Sequence, residues 1–160
     1  MNHPPSDTTA AHQAAIPAIP AQQTRPPATA RPWQARFLTL FRVSALLFAL
    51  GVLVQAVLAG EFVTGNVELL KIHNVNAQVL SIVVLAETVA AFGLWRTRLT
   101  SVRPALATLA LLILTGAQMS LGHDRVLLVH IPLGVTVFGF ATALAVWSLM
   151  FPARTRGAGR

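Results

Sequence analysis

The sequence has no cysteine, few acids and little charge of any kind. The absence of cysteine excludes a disulfide framework, a thiolate metal site and a cysteine nucleophile. Only 11% of the 160 residues are charged, against about 25% in an ordinary soluble domain. Hydrophobic residues make up 54%, and that combination points to a membrane protein. Five Asp and Glu face twelve Lys and Arg, for a net charge of +7. Such a balance would suit nucleic acid if the basic residues lined one helix face. They stand instead at the edges of apolar runs, so no nucleic-acid partner is expected and the lipid bilayer is. No motif for phosphate binding or hydrolysis is present, and no independent catalytic activity is expected.

What is there divides into a polar start and four apolar runs. Residues 1–36 open with PPSDTTAAHQAAIPAIPAQQTRPPATARP, a stretch without period or bulk that reads as a disordered tail. It lacks the apolar core of a secretory signal. His3 and His12 lie in it, too scattered to make a metal site. The membrane domain is expected over residues 37–151, with a short tail over 152–160. The runs cover about residues 40–59, 72–95, 102–121 and 129–150. Each has roughly the 20 residues that cross about 30 Å of hydrocarbon as a helix. None alternates like a barrel strand, and a lone span must satisfy its own backbone. Short connections favour antiparallel neighbours. The expected fold is all-α, an integral membrane four-helix up-down bundle.

Apart from Lys71 and Arg125, every basic residue falls on one side of this layout. Arg25, Arg31, Arg36 and Arg42 precede or open the first run. Arg96, Arg98 and Arg103 separate the second from the third, and Arg154, Arg156 and Arg160 close the chain. That side is expected to be cytoplasmic, with both termini there, in a bacterial plasma membrane. Trp33, Trp95 and Trp147 fall at the same boundary, where indole rings favour the interface.

The runs also repeat weakly. QAVLAG at 55–60 ends the first and QMSLGH at 118–123 ends the third. Each is followed by a loop and a run that opens with histidine, in KIHNVNAQVL at 71–80 and LVHIPLGV at 128–135. A parallel repeat of helix pairs would bring His73 and His130 to one depth near the outer face, on helices that face each other. Imidazole is an axial ligand of haem iron, and bundles hold cofactors between facing helices. Ala77, Leu80 and Val84 share the face of His73, as Gly134, Val137 and Ala141 share that of His130. The small Ala77 and Gly134 leave clearance for a flat macrocycle or for close helix packing. Lys71 and Arg125 are candidate partners for a propionate, with solvated His123 beside them. Gln55 and Gln118 either meet a cofactor edge or bond between helices. Pro132 either starts the fourth helix near His130 or kinks one that began near Asp124.

The pattern Gln-x-x-Leu, a loop and then His resembles haem A synthase over roughly residues 40–150. That family is built from two four-helix halves, each with a pair of haem-ligand histidines at the outer ends of its second and fourth helices. The resemblance implies haem held by His73 and His130, and a homodimer would restore the eight-helix arrangement. The layout is also similar to that of small four-helix bacterial membrane proteins of uncharacterised function. Haem A synthases carry a glutamate three residues before the first histidine. Here that position is Leu70, and the nearest acid is Glu68. Many members carry a cysteine pair as well. The departures speak against haem A synthesis.

The leading expectation is a small b-type cytochrome. Its haem b, ligated on both faces, would serve electron transfer or haem handling with a redox partner or quinone. Two alternatives stand beside it. One is a cofactor-free membrane subunit or scaffold that acts through partners. The other is a small transporter or quinone-binding protein centred on Glu87. An acid within a span is a candidate functional site, and its bland counterpart is a neutral acid bonded to Thr88 or Thr108.

Overall fold

The computed structural model describes Met1 and residues 31–152. Most of the expected N-terminal tail, with His3 and His12, and the end of the C-terminal one lie outside the described residues. Helix α1 is Pro32–Val63, α2 is Leu69–Arg96, α3 is Arg103–His123 and α4 is Leu127–Met150. All four are long and apolar enough to cross a membrane. The protein is an all-α, multi-pass membrane bundle.

The helices begin and end where the backbone chemistry asks. Proline stands in the first turn of α1 and of α3, where its missing N–H has no intrahelical partner to lose. Gly65, with φ of 111°, makes the turn out of α1 in a conformation that side chains resist. Helix α1 begins well before the apolar run, so that residues 32–36 are helical rather than tail. Its 32 residues measure about 48 Å at 1.5 Å per residue, which exceeds the hydrocarbon layer. The backbone N–H of Arg31 donates to Gln34 Oε1 at 3.0 Å, and Gln34 Nε2 donates to the Thr97 carbonyl at 3.1 Å. That pair ties the start of α1 to the end of α2. Pro132 lies inside α4, so α4 starts ahead of His130 and carries the proline within it.

Consecutive helices pack against each other and α4 closes on α1, while the diagonal pairs α1/α3 and α2/α4 make no close backbone approach. This is up-down order around a square. The core falls into two clusters. Phe48, Leu80, Val84, Leu111, Val137 and Ala141 fill the middle. Leu38, Phe41, Ala90, Leu94 and Ala105 fill the end where the arginines gather. Arg42 holds that end together. Its Nε donates to the Ser148 carbonyl at 3.0 Å and its Nη2 to the Phe151 carbonyl at 2.7 Å, which satisfies acceptors that the end of α4 leaves open. Outside the core, Leu47, Leu50, Val57, Ile82, Val135 and Leu149 are exposed. On a membrane bundle these are the groups that meet acyl chains.

The repeat is built into the packing. The register that sets His73 on His130 also sets Leu80 on Val137, Val84 on Ala141, Thr88 on Ala145 and Ala91 on Ser148. Every one of these eight partners is buried. The register that sets Gln55 on Gln118 sets Phe41 on Pro104, Ala45 on Thr108 and Phe48 on Leu111, again buried on both sides. The two helix pairs use equivalent faces.

Candidate functional site: a histidine pair at one end of the bundle

His73 lies in the second turn of α2 and His130 one turn into α4, on diagonal helices. Their rings nonetheless meet across the bundle. The ring centroids are 6.5 Å apart and the planes are tilted by 55°. Both residues are half-buried.

A matched pair of glutamines anchors the two turns. Gln55 Nε2 donates to the His73 carbonyl at 3.0 Å, and Gln118 Nε2 donates to the His130 carbonyl at 3.0 Å. These are interhelical bonds, one in each copy of the repeat. In each copy the glutamine grips the backbone of its histidine. The glutamine also accounts for a small residue on the following turn. A Cβ at Gly134 would stand 3.0 Å from Gln118 Nε2. The clearance beside Gly134 is thus filled by an amide of the protein.

The two copies differ in their remaining bonds. Asn76 Nδ2 donates to Gln55 Oε1 at 2.6 Å and to the Gly51 carbonyl at 3.0 Å. This fixes the Gln55 amide from both ends. A Cβ on Gly51 would collide with Leu80, so glycine is what lets α1 and α2 come this close. In the second copy Leu133 takes the place of Asn76, and Gln118 Oε1 is buried without a partner. His130 compensates on its own side, with Nδ1 3.0 Å from the Gln118 backbone oxygen. That contact requires the proton on Nδ1 and leaves the lone pair on Nε2. The His130 ring lies against α3 only because residue 122 is glycine. A Cβ there would be 3.0 Å from His130 Cε1. His73 faces the Gln55 backbone in the same way but more loosely, and its Nδ1 makes no well-formed hydrogen bond there.

Lys71, His123 and Arg125 lie at the same end of the bundle and are exposed. Arg125 sits in the turn between α3 and α4 with φ of 57°. Glu68 precedes α2 as its N-cap residue without a capping side-chain bond. Glu87 lies apart, about 21 Å along α2 from His73 at 1.5 Å per residue. It is buried, and neither carboxyl oxygen has a partner. The bonds expected from Thr88 and Thr108 are absent. Thr88 Oγ1 donates instead to the carbonyls of Val84 and Thr108.

No family model matches the chain, and neither does any curated protein or solved structure.

Three residues escaped the sequence reading: Asn76, Gly51 and Gly122. Asn76 gave a signal, since an asparagine inside an apolar span usually faces another helix. The two glycines gave none, because the close approach that each one serves depends on which helices are neighbours.

Among the described residues no three of His, Cys, Asp and Glu gather at one point. The histidine pair thus falls short of the three or four protein ligands that a zinc site takes.

Proposed function

We propose that this protein is a small membrane cytochrome of b type, in which His73 and His130 receive one haem iron from opposite sides. The observation that carries the reading is the ring separation. With a metal–nitrogen bond of about 2.0–2.1 Å, two imidazoles on opposite sides of one metal have ring centres roughly 6.4 Å apart. The two centroids here are 6.5 Å apart. The tautomer of His130 agrees, because the bond to the Gln118 backbone oxygen leaves Nε2 as the ligating atom. A hydrogen bond on the far nitrogen is the usual way a ligating histidine is oriented. His73, with an unpartnered Nδ1, is the more adaptable of the two.

A haem held by His73 and His130 would supply one-electron chemistry, suited to electron transfer or haem handling. The protein's own part is positional. Gln55 and Gln118 hold the two helix starts at a fixed depth, and Gly122 makes room for the edge of the His130 ring against α3. Lys71 and Arg125 are free to meet propionates as charge-assisted donors. The arginine end, by its excess of basic residues, would face the cytoplasm, and the histidine pair would then serve a redox partner at the opposite surface or a quinone in the bilayer.

The test is the absorption spectrum of the protein purified in mild detergent from haem-replete membranes, oxidised and dithionite-reduced. A low-spin b-type spectrum is expected. A folded protein that is colourless, and stays so on adding haem, contradicts the reading. It would leave the histidines as interhelical groups of a cofactor-free subunit.

A further inference from the structure

Glu87 is the buried group that the histidine site does not use. It is 1% exposed, and both carboxyl oxygens lack partners. Its place in the core is a seam. On α2, Val84 belongs to the central apolar cluster, and Ala90 and Ala91 belong to the cluster at the arginine end. The same seam crosses α1 at Ser44, between Phe41 and Phe48, and α3 at Thr108, between Ala105 and Leu111. Helix α4 contributes Ser148, one turn beyond Leu144. All three hydroxyl residues are buried. Each helix therefore sets a buried polar side chain within about one turn of this level.

The hydroxyls all donate to carbonyls. Ser44 Oγ donates to Leu40, Thr108 Oγ1 to Ala105 and Ser148 Oγ to Ala145. Thr88 does the same. Their oxygens keep free lone pairs and offer no proton to a carboxylate. A carboxylate in a dry core requires donors or a cation, whereas a carboxylic acid brings its own O–H and needs only an acceptor. With no hydrogen-bond partner on either oxygen, the neutral acid costs this core less than the ion. The repeat sharpens the point, because the register that pairs the two histidines sets Glu87 on Leu144, a buried core residue. Leucine would fill this position without any polar demand.

We infer that Glu87, a buried acid without partners in this seam, is a proton-binding site that exchanges its proton with water. The inference is independent of the haem reading. On α1 the nearest charge is Arg42, whose guanidinium is turned to the Ser148 and Phe151 carbonyls. On α2 and α3 the charges on that side are Arg96 and Arg103, both exposed at helix ends. Helix α4 presents none within its length there, and His73 and His130 lie at the far end. Between the seam and the solvent at that end lie the buried side chains of Leu38, Phe41, Ala90 and Leu94, so water reaches Glu87 only when this packing opens.

The test is infrared spectroscopy of the protein in lipid vesicles, wild type against Glu87→Gln. Glu87 is the one buried acid among the described residues, so a carboxylic C=O band missing from the variant belongs to it. The expected band shifts in D2O and gives way to a carboxylate band as pH rises. Glu87→Leu, the residue that the repeat carries at this place, is the second control should the glutamine variant fold poorly. A wild type without the band overturns the inference. So does a band that fails to exchange or fails to titrate within the pH range in which the bundle stays folded.

Discussion

His130 and Gln118 grip each other twice: His130 Nδ1 meets the Gln118 backbone oxygen at 3.0 Å, and Gln118 Nε2 donates to the His130 carbonyl at 3.0 Å. One interhelical pair thereby fixes the depth of the helix turn, the rotation of the imidazole and the nitrogen that keeps its lone pair. His73 shares the first of these through the Gln55 amide and the second only loosely, through the Gln55 backbone. The two histidines are equivalent by repeat and unequal by bonding.

That inequality is testable at Gly122. A valine there would press against the His130 ring, since even its Cβ would stand only 3.0 Å from His130 Cε1. Gly122→Val should weaken haem binding at least tenfold in a titration followed by absorbance. The same substitution at Gly116, which has open space beside it, should leave binding unchanged.

The missing partner of Gln118 Oε1 makes a second prediction. Leu133→Asn restores the donor that Asn76 gives Gln55. A double-mutant cycle of Leu133→Asn with Gln118→Leu should show a favourable coupling of about 0.6 kcal/mol, the mean for interhelical side-chain bonds in membranes. Asn76→Leu should destabilise by about the same amount or more, because it strands the Gln55 amide oxygen. Unfolding in mixed micelles reads both.

How much of this was legible in the sequence follows from the physics of each feature. The four helices were, because crossing lipid demands only length and apolar content, and each run declared both. The paired histidines and glutamines were, because the repeat set them in register before any contact was known. The start of α1 was not. Pro32 and Trp33 open a helix that projects beyond the apolar run, and hydropathy is silent on helix outside hydrocarbon. The lack of a partner for Glu87 was not legible either. Thr88 and Thr108 lie at the right depth to bond it, but their hydroxyls turn to backbone carbonyls, a rotamer choice that spacing does not reveal.

Arg42 should be a strong point of stability at its end. Arg42→Ala removes two charge-assisted bonds to α4 carbonyls, each worth about 1.5–3 kcal/mol where water is excluded. Hydrogen exchange should speed up in the last turn of α4 and not at the histidine end. Lysine in its place can reach one carbonyl at a time and should recover only part of the protection.

The absence of cysteine makes topology a clean experiment. Ser101→Cys, in the turn after α2, should react with a membrane-impermeant thiol reagent only from the cytoplasmic side. Asn66→Cys, in the turn after α1, should react only from outside. The reverse labelling would place the histidine pair on the cytoplasmic face and overturn the orientation read from the basic residues.

The most direct measurement is electron paramagnetic resonance of the ferric protein beside His73→Ala and His130→Ala. The account predicts a low-spin signal in the wild type. Each single variant should turn it high-spin or lose the haem altogether, with the helical content of both variants intact. A low-spin signal that survives either substitution, or a wild type that takes up no haem, would contradict ligation of one iron by His73 and His130.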